Sequence, residues 1–103
     1  MNIAKMMKEA QRMQERMAVA QVALAARKIE ATTGGGKVKV TATGAGDITS
    51  IKIDPQVVDP TDVEMLEDLV LTAVRQALED AKKLGSDEMG KLTGGLKIPG
   101  LSM

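Results

Sequence analysis

No glycine or proline occurs before Gly34, and within that run Ile3, Met6, Ala10, Met13, Met17, Ala20 and Leu24 recur at spacings of three and four. This unbroken a/d pattern spans more than three heptads and predicts a helix over 3–27, with Asn2 as its N-cap. Such a helix is about 37 Å long at 1.5 Å per residue. That exceeds the short sheet predicted to follow it, so much of the helix packs elsewhere or protrudes.

Three short strands come next. "KIEATT" (28–33) places Ile29, Ala31 and Thr33 on one face, and "KVKVTAT" (37–43) places Val38, Val40 and Ala42 on one face. "DITSIKI" (47–53) places Thr49, Ile51 and Ile53 together. Gly34–Gly36 and "GAG" (44–46) mark the turns, so the three form an antiparallel meander with one apolar face. A second helix follows the two prolines of "DPQVVDP". Asp59 is its expected cap, with Pro60 in the first turn, and Val63, Leu66, Val70, Ala73, Val74, Ala77, Ala81 and Leu84 form its stripe. Gly85 is the expected stop. Residues 1–85 then make one α+β domain of order α-β-β-β-α, and 86–103 make a flexible Gly/Pro-containing C-terminal tail. Two helices cannot both lie over three short strands, and the surplus apolar surface argues for a homodimer.

Composition narrows the chemistry. The 103 residues contain no His, Cys, Phe, Tyr or Trp. Disulfides, thiol or imidazole catalysis and zinc sites are excluded, and no cofactor or metal is expected. Base stacking on aromatics is disfavoured. No apolar run approaches the roughly 18 residues of a membrane span, and no export signal is evident. "TGGGKV" resembles a phosphate-cradling loop, but it precedes a strand, whereas such a loop opens a helix. The acidic "DPTDVEMLED" lacks the spacing of a calcium loop. It reads as first-turn acids favoured by the helix dipole.

Charge is balanced, with 14 cations and 14 anions, but unevenly placed. Residues 1–28 hold six cations and two anions, and 54–68 hold six anions and no cation. On the first helix, Lys5, Lys8, Arg12 and Arg16 fall within a sector of about 80°, roughly 130° from the centre of the apolar stripe. Two readings remain for that edge. It is a solvated face paired with Glu9 and Glu15, or it meets phosphate. If the two helices run antiparallel side by side, Arg75, Lys82 and Lys83 of the second helix sit near Lys5 and Lys8 and the two basic groups become one. Met6, Met13 and Met17, with Ile3, Ala10 and Leu24, belong to a core or a dimer interface.

The stretches "MKEAQRMQERM", "KVKVTATG", "IKIDP", "EMLEDLVLTAVRQAL" and "GGLKIPGL" resemble the YbaB/EbfC family of nucleoid-associated proteins over nearly the whole chain. The resemblance implies a tweezer-like homodimer in the cytoplasm, on the bacterial nucleoid. It implies non-catalytic binding of double-stranded DNA through protruding helical ends, with no membrane and no small-molecule substrate. Lys5, Lys8, Arg12 and Arg16 occupy the basic and polar positions of the family's first helix. Arg75 stands where members often carry Asn. The competing reading is a protein–protein interaction module that uses the Met-rich helix and the apolar residues Leu92, Leu96, Ile98 and Leu101.

Overall fold

The computed structural model describes residues 2–93, in the order α1 (Ile3–Ala26), β1 (Lys28–Thr33), β2 (Val38–Thr43), β3 (Ile48–Ile53) and α2 (Val63–Thr93). A 3-10 turn at Pro55–Val57 lies between β3 and α2. The α+β class and the element order are those expected from the sequence. Asn2 caps α1, its side chain accepting from the Lys5 amide at 3.2 Å.

The sheet has the order β1-β2-β3, antiparallel throughout. The first turn needs left-handed backbone at three successive residues, which only glycine adopts freely, and Gly34, Gly35 and Gly36 have φ of 61°, 68° and 89°. α2 lies across β1 and β2. The contact is close because alanines make it: Ala73 and Ala77 have no exposed surface and meet Val38, Val40, Ala42 and Ala31. Thr33 Oγ1 donates to the Leu69 carbonyl at 2.8 Å, tying the end of β1 to the helix. The largest fully buried side chains are the two valines, so the core is small.

Three expectations need correction. The first concerns the start of α2. Asp62 caps it, accepting from the Met65 amide at 3.2 Å, whereas the Asp59 carboxylate is taken by the Thr61 amide and hydroxyl at 2.9 and 2.7 Å. Both aspartates are suited to capping, and the local turn claims the first. Secondly, α2 does not stop at Gly85 but continues to Thr93. Leu84, Gly85, Glu88, Met89 and Leu92 are all partly covered, so packing outweighs the modest cost of a helical glycine. Residues 86–93 therefore belong to the helix, and the rest of the expected tail lies outside the described residues. Thirdly, a register shift at Thr41/Ala42 pairs Ala42 with Ile48 while Val40 faces Ile51 and Val38 faces Ile53. One extra residue in β3 thus puts Ile48, rather than Thr49, on the apolar face.

α1 is antiparallel to α2 and meets only its second half. Leu24 shares a groove with Ala81 and Gly85, and Val19 and Ala20 share one with Leu92. Gly44 makes this junction possible: a Cβ there would lie 2.5 Å from the Leu24 carbonyl oxygen. The N-terminal half of α1 runs on past Leu92. The radius of gyration is accordingly 19.6 Å, against about 13 Å for a compact chain of this length.

Candidate nucleic-acid interface

The projecting part of α1 carries the four cations singled out in the sequence. Lys5, Lys8, Arg12 and Arg16 are all exposed, and among the described residues none of them forms an ion pair. The pairing with Glu9 and Glu15 that would make this edge an ordinary solvated face does not occur. The sheet treats its lysines differently. Lys28 and Lys39 flank Glu30 at 3.1 and 3.6 Å, and Lys37 lies 3.6 Å from Asp54. The Lys28 hydrogen bond, then the charge of Lys39, hold the Glu30 carboxyl below its ordinary value. On the sheet only Lys52 lacks an ion pair among the described residues, whereas on the α1 edge all four cations are left for solvent or a partner.

Arg75, Lys82 and Lys83 are exposed on α2 but do not join this edge. Lys82 lines the groove with Gln21 and Leu24. From that level Lys5 lies some sixteen to nineteen residues back along α1, about 25 Å away. Antiparallel packing is present, but the helices are offset so that α1 overhangs. The offset separates the two basic groups. Arg27 instead approaches Glu88, at 4.0 Å, and Lys91 reaches the same carboxylate at 3.3 Å.

The α1 stripe is divided as well. Leu24 is buried and Met13 and Ala20 are half-buried, whereas Ile3, Met6, Ala10 and Met17 are exposed, Ile3 by 68 % and Met6 by 55 %. A second uncovered surface was not singled out from the sequence. Ile48, Ile51 and Ile53 share the face of Val38, Val40 and Ala42, yet α2 does not extend over β3. An open groove of about 450 Å3 remains there, lined by Ile53, Leu66, Glu67, Val70, Leu71 and Val74. Ile51 is 45 % exposed and Leu71 47 %. Leu71 and Leu78, seven residues apart on one flank of α2, were the available signal. Among the described residues no group of acidic side chains is arranged to hold a metal ion, and no helix is long and apolar enough to cross a membrane.

The sequence profile of the YbaB/EbfC DNA-binding family matches residues 1–96. The chain belongs to this family. Among its YbaB/EbfC relatives, a nucleoid-associated protein of Desulforamulus reducens is 56 % identical over 100 residues, covering 97 % of this chain and 95 % of that one. Another from Pelotomaculum thermopropionicum is 54 % identical with the same coverage. The crystal structure of an uncharacterized protein from Helicobacter pylori superimposes with a TM-score of 0.83, covering 91 % of this chain and 99 % of that one. At 16 % identity this likeness shows the YbaB/EbfC chain's fold alone.

Proposed function

We propose that this protein is a nucleoid-associated, non-catalytic DNA-binding protein that works as a homodimer in the bacterial cytoplasm. The observation that carries the reading is the row of four unpaired cations on the overhanging part of α1. Family membership and the names of the relatives support it.

Lys5 to Arg16 span about 16 Å of helix, and the same length of duplex axis presents about nine phosphate charges. Lysine and arginine meeting phosphates give position on the duplex without reading its bases. The absence of aromatic side chains favours the duplex over stacked single strands. A net charge of zero does not oppose this, because the charges are separated along the molecule. The six anions of 54–68 lie at the opposite end from the α1 overhang, around the start of α2. Repulsion of that end from phosphate would turn α1 towards the duplex.

The uncovered Ile48, Ile51, Ile53 and Leu71 surface supports the dimer, since a second copy seated there completes a core that is small in one protomer. The two α1 arms then project from a shared body as a clamp. Fluorescence anisotropy with a duplex of arbitrary sequence tests the reading. Wild type should bind at low salt, and a Lys5/Lys8/Arg12/Arg16 alanine variant of unchanged helicity should lose at least tenfold in affinity. Equal affinity for the two would refute it. The exposed Ile3 and Met6 favour the rival interaction module. That reading predicts recovery of one stoichiometric protein partner after nuclease treatment.

A further inference from the structure

We infer that the exposed stripe of α1 pairs antiparallel with the same stripe of a second copy of this chain, Met6 facing the partner's Met17 and Ala10 the partner's Met13. The stripe has coiled-coil spacing. With Ile3 at position a of a heptad, Ala10, Met17 and Leu24 also fall at a, and Met6, Met13 and Ala20 fall at d. Its C-terminal end is itself a helix seam, because Leu24 is buried in the groove it shares with Ala81 and Gly85 of α2. Past Leu92 the stripe runs on without α2: Ile3, Met6, Ala10 and Met17 are exposed and Met13 is half-buried. An isolated helix of that length is marginal in water, and unbranched methionines adapt readily to a facing copy.

Charge selects the occupant and its register. The charged g positions that border the stripe are Glu9 and Arg16, both exposed, and neither forms an ion pair among the described residues. In an antiparallel pair g faces g, so in the stated register Glu9 of each chain meets the partner's Arg16. Sliding the partner by one heptad either way sets Glu9 against Glu9 or Arg16 against Arg16. A parallel pair in register sets Glu9 against Gln14 and Arg16 against Gln21, with no ion pair. Lys5, Lys8 and Arg12 hold c and f positions, which face away from the seam. The β3 face stays free for the dimer proposed above, so the two contacts together link dimers arm to arm. A seam this short is small beside the roughly 1,200 Å2 of a stable interface, so the pairing is weak and rises with concentration. The inference rests on α1 alone, and neither on DNA binding nor on the β3 contact.

The chain has no cysteine, so single cysteines report the register cleanly. Full-length Met6→Cys and Met17→Cys chains are mixed in equal amounts at high concentration and oxidised mildly. In the stated register position 6 of one chain is level with position 17 of the other, whereas like positions lie about 16 Å apart, too far for a disulfide. The mixed disulfide should exceed either symmetric one at least fivefold. A statistical mixture, or a predominance of symmetric disulfides, would overturn the inference. As a second readout, Glu9→Arg and Arg16→Glu are each introduced into the Ile51→Asp chain, which takes the β3 contact out of the measurement. Each should weaken self-association at least fivefold in sedimentation at high concentration, and an equimolar mixture of the two should restore it, because every border position then meets its opposite charge. No restoration in the mixture would also overturn it. Should Ile51→Asp leave a dimer intact, the β3 reading fails while the disulfide result still decides this one.

Discussion

Gly44 and Glu30 show how single residues set this fold. A methyl group at Gly44 would collide with the Leu24 carbonyl oxygen, a backbone atom that cannot swing aside as a side chain could. Gly44→Ala should therefore destabilise the protein by about 1–3 kcal/mol, measured by chemical denaturation. Glu30 acts through charge. Its carboxyl is held below the ordinary value by Lys28 and Lys39, so its contribution is complete above about pH 4.5 and fades as pH falls through the depressed value. Because the group is exposed, the contribution is small. The Tm difference between wild type and Glu30→Gln should be constant from pH 7 to about pH 4.5 and close at lower pH. At this scale the sequence was only partly legible. Asp59 and Asp62 are both good caps by type, and only the Thr61 contacts reveal which one remains free for α2.

At the scale of elements, pattern and structure agree most closely where one periodicity governs alone. β1 runs from Lys28 to Thr33 as its alternation predicts, and α1 ends one residue short of the predicted boundary. They part where tertiary contact overrides local preference. The β3 bulge shifts alternation by one residue, and the gain is a third isoleucine on the apolar face. Gly85 is a good stop in isolation, but α1 packs beside it and the helix continues. A Cβ at Gly85 meets nothing nearer than the Gly44 oxygen at 4.0 Å, an ordinary contact. Gly85→Ala should therefore stabilise the protein by about 0.5–1 kcal/mol, raising Tm by a few degrees in calorimetry.

For the whole molecule, the meaning of the basic residues depends on how far one helix slides past the other. Spacing within α1 separated a cationic edge from an apolar one, and the structure keeps both. It does not bring Arg75, Lys82 and Lys83 to that edge, because helix offset is fixed by contacts such as Gly44 against Leu24 that no local pattern encodes. The proposed dimer seats a second copy on the apolar surface left on β3 and α2. Ile51→Asp should then convert a dimer to a monomer in sedimentation, with helicity retained because Ile51 is already 45 % exposed in the protomer. The central claim is that the α1 edge supplies the phosphate contacts. Four cations on each of two copies allow about eight contacts, or a slope of log K against log salt near −7. The most direct measurement is that slope for wild type and for the Lys5/Lys8/Arg12/Arg16 alanine variant. The account predicts a steep wild-type slope that loses most of its magnitude in the variant, and equal slopes would contradict it.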